Sequence, residues 1–303
     1  MAYIIENANI LKDKELTTNS LLVHEDKVSA NLTRSNHYRL MKMNLESFIM
    51  TPSFVLLHSN ISPQGSFQEL KQTLRDQFLL KGCTTILTYA SISYEQELNA
   101  KVKEMKMALM SSPVDYMIGI KIPLALVTPS LIRKCKKIKI PAIFVEIDEQ
   151  DALSFVPWGW IREALFPYNC PLIPIISSQK KKEARTLLSN WKNRMVKEKI
   201  PSIYEEIEEN KPISKAVLNK IGLYPQKFSL MNGTELSYNL YVKAREIKNV
   251  DEVDLFHYHG DRLMITVHKG KIVRSLNEVL FKPGFGEHVI VRTPAFFSFV
   301  NSD

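Results

Sequence analysis

The chain has 303 residues, 45% of them hydrophobic and 24% charged, and carries a net charge of +8. That is enough apolar material for one large or two modest domains. No run approaches the ~20 apolar residues of a membrane span, and the N-terminus lacks a basic segment followed by an apolar core, so a cytoplasmic protein with no membrane partner is expected.

Two other classes are disfavoured by pattern. Cys83, Cys135 and Cys170 lie far apart and form no C-x-x-C pair, so reduced thiols packed near a core are expected rather than a disulfide framework or a zinc knuckle. The basic charge is local: five basic residues lie in Arg133 to Lys139, and eight in Lys180 to Lys199 against Glu183 and Glu198. In the second run Ala184, Leu187, Leu188, Trp191 and Met195 recur at helical spacing, which predicts an amphipathic helix with a solvated basic face. No base-stacking or groove-reading motif accompanies the charge, so no nucleic-acid partner is expected.

In chain order, residues 2–50 read as short strands: "YIIENANIL", "SLLVHEDKVSAN" with a turn near Glu25 to Lys27, and "MNLESFIM". Alternating apolar residues and regular turns predict a small antiparallel sheet. From Pro52 the rhythm changes. "FVLLH", "TTILTY", "DYMIGIKI", "AIFVEI" and "PLIPII" are strand-like runs separated by helical segments, which predicts βα units on a mainly parallel sheet. Ser66 with Glu69, and Ser93 with Gln96, mark two helix starts. The first of these helices is expected to bury Phe67, Leu70, Leu74 and Phe78 and to stop at Gly82. After about residue 222 strands return in "LSYNLYVKA", "VDLFHYH", "RLMITVHKGKIVR" and "HVIVRT". One sheet built from both termini explains this order, because termini tend to lie close together.

Several local strings resemble the cyclic amidohydrolases, the family of dihydropyrimidinase, hydantoinase, allantoinase and dihydroorotase. "YIIENANILKDKELTTNSLLVHEDKVSA" looks like the family's opening sheet, and "TPSFVLLHSN" stands where the family has P-G-x-I-D-x-H-x-H. "GLYPQKFSLMNG", Gly222 to Gly233, follows the family's G-L-Y-P-x-K-G-x-L-x-x-G. "VHKGKIVRSLNEVLFKPGFGEHVIVR", Val267 to Arg292, resembles its closing segment. The resemblance implies a truncated (β/α) barrel of the metal-dependent hydrolase type over residues 52–221, and a composite β-sandwich domain from residues 1–51 and 222–303. The barrel is short, because some 170 residues stand where a complete one generally needs ~200 or more.

It also implies a chemistry, in which two divalent metals activate a hydroxide. The first histidine is kept as His58. Where the resemblance implies a histidine, a carboxylated lysine and a histidine, the barrel segment carries Asn60, a poor ligand, Phe144, which cannot be carboxylated or bridge metals, and Ile175. The expectation is therefore a pseudoenzyme without cofactor, acting as a subunit or scaffold. The alternative is a hydrolase of cyclic amides that keeps a reduced site, His58 holding one divalent metal such as zinc. An incomplete barrel leaves a sheet edge and inner apolar faces to be covered, which predicts a homo-oligomer or a complex with another chain, such as an active amidohydrolase.

Three further candidates stand apart from those positions. Glu146 and Asp148 follow a barrel-like strand, where carboxylates serve acid–base chemistry, although a solvated loop is the plainer reading. His257 and His259 are spaced to share one face of a strand, and a structural role is favoured. Trp158, Trp160, Phe166 and Tyr168 concentrate aromatics in a segment whose Pro157, Gly159 and Pro167 suggest a loop; they line a pocket, anchor a partner or pack in the core.

Overall fold

The computed structural model describes residues 2–32, 37–148, 151–178, 180–244, 247, 250–292 and 294. It is a mixed α/β structure with a curled parallel sheet, a half-barrel, and a largely antiparallel sheet.

The chain opens with β1 (Ala2–Lys12), β2 (Glu15–His24), β3 (Lys27–Leu32), β4 (Met41–Asn44) and β5 (Phe48–Pro52). It continues with β6 (Phe54–Leu57), α1 (Phe67–Thr73), β7 (Cys83–Ser91), α2 (Leu98–Ala108), β8 (Asp115–Pro123), α3 (Pro129–Lys137), β9 (Ile143–Ile147), α4 (Trp158–Leu165), β10 (Leu172–Ile176) and α5 (Lys181–Glu198). The last elements are α6 (Lys215–Ile221), β11 (Tyr238–Val242), α7 (Glu252–Tyr258), β12 (Leu263–His268), β13 (Lys271–Ser275) and β14 (Glu278–Val279).

The parallel sheet has the order β10-β9-β8-β7-β6. The nine-stranded sheet runs β14-β13-β12-β11-β5-β1-β2-β3, with β4 also on β1. Strands from both ends of the chain meet at β5 and β11, which pair antiparallel from Tyr238 opposite Pro52 to Val242 opposite Phe48. This sheet curls, because residues 233–236 lie against β3. Gly233 N and Val28 N exchange bonds with Val28 O and Thr234 O, and Leu236 N donates to Asp26 O. Inside the curl lie Ile5, Leu21, Val23, Met50, Leu236 and Leu240. Gly233 and Gly270 both adopt positive φ, 83° and 69°, at their turns.

The two sheets are joined at Gly82. It ends the helical segment after α1 with φ 76°, and a Cβ there would lie 2.7 Å from the Asn239 amide, whose Nδ2 donates to Gly82 O at 2.9 Å.

Four local expectations are corrected. The first helix is capped as expected by Ser66 and Glu69, but it opens into a π-type turn at Leu74–Phe78, so that Leu74 and Phe78 are buried while Phe67 is exposed. The second cap falls one residue later than Ser93 and Gln96. The Glu97 carboxylate accepts from the amides of Ser93 and Tyr94, and a charged acceptor outcompetes the Gln96 amide. "VDLFHYH" is helix α7, not a strand, because Asp251 and Asp254 cap it reciprocally. The segment from Trp158 is helix α4, not a loop, with Pro157 just outside its first turn where proline is tolerated.

The fifth correction concerns the sheet edges. Residues 200–213 run from one edge of the parallel sheet to the other. Leu172 N donates to Pro201 O and Ile203 N to Leu172 O along β10, while Asn210 N and Ile213 N donate to Leu57 O and Val55 O along β6. The inner faces expected to need cover, at Leu87, Met117 and Phe144, are packed under Ile203, Ile213, Leu218, Ile221 and Phe228 of the same chain. Fourteen residues of loop, rather than further βα units or another chain, satisfy these edges.

Candidate functional site

In a βα sheet the chemistry belongs at the strand C-termini. Side chains alternate along each strand, so Leu87 and Tyr89, Met117 and Lys121, Phe144 and Glu146, and Ile173 and Ile175 face into the curl. Phe144 is 1% exposed and its ring lies 4.8 Å from that of Tyr89; Gly119 leaves room for it, since a Cβ there would sit 3.1 Å from the Phe144 ring. On β10, Ile173 pairs with Phe144 and Ile175 with Glu146. Where the resemblance implies ligands, the inner face of the sheet therefore presents a buried phenyl ring near the start of β9 and an aliphatic side chain near the end of β10.

His58 is on the other side of its strand. Its ring meets Phe78 edge-on at 5.5 Å, and Nδ1 is 3.0 Å from Asn210 Oδ1. Asn60 is exposed. The Glu209 carboxylate accepts from Ser59 N at 3.1 Å. Glu146 is paired to Lys121 at 2.5 Å. Asp148 lies exposed beside an open cavity of about 670 Å³ lined by Ser177, Ser178, Lys182 and Thr186. The structure does not bring His58, Glu146 and Asp148 into one constellation with Asn60, Phe144 and Ile175.

The histidine pair is separated too. His257 lies on α7 and His259 at its end, and i, i+2 on a helix points side chains to opposite sides. The aromatic segment splits: Trp158 packs on Trp191 with rings 6.2 Å apart and Tyr168 is buried, while Trp160 and Phe166 are 62% and 68% exposed. The three thiols are buried and free, and burial pushes that of Cys170 up to about 12.

One charged cluster escaped the sequence reading. Asp115, fully buried at the start of β8, pairs with Lys227, and its Oδ1 lies 2.8 Å from Lys269 Nζ and 3.5 Å from His268 Nε2. Lys227 also pairs with Glu235 at 2.7 Å, and Ser237 Oγ donates to Glu235 Oε1 at 2.7 Å. The Glu287 amide donates to Asp115 Oδ1 at 2.8 Å. Burial alone would raise the Asp115 pKa. The His268 imidazole 3.5 Å away and the charges of Lys227 and Lys269 outweigh it and hold the carboxyl well below the usual range.

Among the described residues, Asp115, Glu235 and His268 are the one group whose ligand atoms converge enough to share an ion. Two lysine ammoniums already balance the two carboxylates there. A divalent cation would add two charges within a few ångströms of them, so the cluster fits an ion-pair lock and not a metal. The signal for it was present in the sequence. Lys227 belongs to "GLYPQK", and His268, Lys269 and Glu287 to the closing string, so the two most specific C-terminal matches converge on Asp115.

Compared by sequence, the chain matches no family model and no curated protein. Compared by structure, it is similar to a D-hydantoinase from Bacillus sp. AR9, with TM-score 0.64 and 9% identity over 96% of this chain and 99% of that one. It is also similar to the dihydropyrimidinase from Brevibacillus agri NCHU1002, at 0.59 and 12% over 99% and 100%, and to the L-hydantoinase from Arthrobacter aurescens, at 0.53 and 13% over 95% and 99%. A curled parallel sheet fused to a sheet drawn from both termini, carrying the motifs quoted above, has the fold of the hydantoinases and dihydropyrimidinases, the cyclic amidohydrolases that the sequence resembles.

Proposed function

We propose that the chain is a non-catalytic amidohydrolase-like protein that acts as a subunit or scaffold. The observation that carries this reading is Phe144, buried against Tyr89 and Gly119 at the strand position that the resemblance gives to the metal-bridging lysine. A phenyl ring neither carboxylates nor binds a metal, and the space for a bridged pair is filled.

On this reading residues 1–51 and 222–303 form one composite β-sandwich domain that carries the half-barrel of 52–221, and the protein works in the cytoplasm. Because its own loop closes the parallel sheet, association with a second copy or with another chain uses outer surfaces. The test is metal content and turnover. The purified chain should bind no stoichiometric divalent metal and should not hydrolyse dihydropyrimidines, hydantoins, allantoin or dihydroorotate with added zinc or manganese. Turnover that disappears on His58→Ala would sink the proposal.

A second reading, a hydrolase of cyclic amides with one metal, is favoured by a single feature: His58, Asn210 and Glu209 meet at the end of β6. It requires stoichiometric zinc, lost in His58→Ala, and the same metal analysis separates the two.

A further inference from the structure

Charge on this molecule is segregated. Helices α3, α4 and α5 carry eleven basic residues against three acidic ones, so their excess equals the net charge of +8 of the whole chain. The three helices are neighbours on one flank of the half-barrel. Lys136 Nζ on α3 donates to Phe166 O at the end of α4 at 2.8 Å, and Arg162 on α4 donates to Glu198 O at the end of α5 at 3.2 Å. The rest of the chain sums to zero.

The middle helix holds the apolar surface. Trp160 is 62% exposed and Phe166 68%, although Trp158 and Tyr168 of the same segment are buried. An exposed tryptophan and phenylalanine on the segment between two basic helices have the layout of a binding surface, with aromatic anchors at the centre and charge to either side. Lys137 on α3 and Lys197 on α5 are exposed and have no acidic partner among the described residues.

We propose that the α3–α4–α5 flank docks an acidic protein segment, whose apolar side chains cover Trp160 and Phe166 while its carboxylates meet the lysines of α3 and α5. This rests on the reading of the chain as a partner-binding subunit and names the chemistry of the partner. A second copy is disfavoured at this flank, because it would bring the same excess of positive charge against itself. Trp160 and Phe166 call for apolar side chains, which a phosphate backbone does not carry and which a protein segment can present between its carboxylates.

The test measures binding of the full chain to a fluorescent peptide of alternating Glu/Asp and Leu/Phe. A polyglutamate peptide, a short DNA duplex and phosphatidylserine vesicles are the comparison arms. The mixed peptide should bind tightest. Trp160→Ala, and the pair Lys137→Glu with Lys197→Glu, should each weaken it by about tenfold or more. Met107→Ala, at a residue 62% exposed on α2, should not. All these residues are exposed, so thermal melts should match the parent and exclude misfolding. No binding by the parent, binding unchanged in the variants, or tighter binding to DNA or vesicles would overturn the proposal. Hydrolytic turnover would overturn the non-catalytic reading and leave this result as measured, so the two failures are told apart.

Discussion

The Nζ of Lys269 lies 2.8 Å from Oδ1 of Asp115, which ties the turn between β12 and β13 to the first residue of β8. Asp115 is fully buried, and the side chains of Lys227 and Lys269 are 17% and 12% exposed. The cluster joins the nine-stranded sheet, the 227–237 segment and the parallel sheet through a fully buried carboxylate and largely buried lysines. Removing one partner leaves the others buried and uncompensated.

Asp115→Asn should therefore destabilise the fold by about 3–5 kcal/mol in urea unfolding, the usual cost of breaking a buried pair from one side. Its pH dependence has two limbs. The Asp115 carboxyl is held below its ordinary value of 3.8, so its contribution is fully present above about pH 4 and is lost as pH falls further. Burial opposes the charge on Lys227, but Asp115 and Glu235 raise its pKa, so its contribution is present at neutral pH and is lost on the alkaline side. The Asp115→Asn variant should show a flatter acid limb than the parent.

His288 reports a different window. Its ring tilts against Tyr116 at 5.5 Å, and burial, helped by the charge of Lys106, pushes its pKa down to about 4. The unfolded chain titrates near 6.5 and binds the proton first. Stability should thus be fully present above about pH 6.5 and decline as pH falls toward 4. His288→Asn should remove that slope, and a histidine resonance with a midpoint near 4 should vanish from the proton NMR titration.

Gly286 allows the C-terminal segment to seat. Its amide donates to Ser112 O at 2.9 Å, and a Cβ on it would lie 1.9 Å from Val114 O. Backbone cannot yield as a side chain can, so Gly286→Ala should cost at least ~1–3 kcal/mol and loosen the pairing of Tyr116 with Glu287 and Val289. Gly159, in α4 with nothing within 4 Å, is the control: Gly159→Ala should be neutral or stabilise by up to ~1 kcal/mol. Chemical denaturation of the two variants makes the comparison.

Phe144→Ala should cost about 3–5 kcal/mol, the range for emptying an aromatic site in a packed core. Phe144→Lys should be no better, since its ammonium would be buried where the ring was, and zinc should not rescue it. Zinc-dependent recovery of the melting temperature would contradict the account of the strand ends given above.

A chain ending at residue 221 should be insoluble. It loses β11, so β5 is left unpaired on one side from Phe48 to Pro52, and Asp115 loses every lysine partner. A soluble, cooperatively melting fragment of that length would overturn this.

Much of the local structure was legible because it is written in short-range physics. Ser66 and Glu69 form their cap within one turn, and Leu187, Trp191 and Met195 line the buried face of α5 at helical spacing. The run from Phe54 to Leu57 and those of the other parallel strands could be read because strands covered on both faces are continuously apolar. What misled was equally local. "VDLFHYH" carries strand-like residues, yet the reciprocal Asp251–Asp254 cap starts a helix at little cost. Pro157 and Gly159 suggested a loop, yet both fall at the start of α4, where they are harmless.

Short-range pattern was enough to read the order of β and βα regions, the strings that resemble the cyclic amidohydrolases, and the residue types Asn60, Phe144 and Ile175 at positions where that resemblance implies ligands. Where the uncovered edges go and which charges meet follow from long-range packing. Residues 200–213 close both edges of the parallel sheet through backbone groups, which every residue type carries alike, so no side-chain pattern announces them. Asp115 and Lys227 are 112 residues apart, and their pairing is set by how two sheets pack. The split between buried Trp158 and exposed Trp160 likewise depends on which face of α4 meets α5, a rotation that composition does not encode.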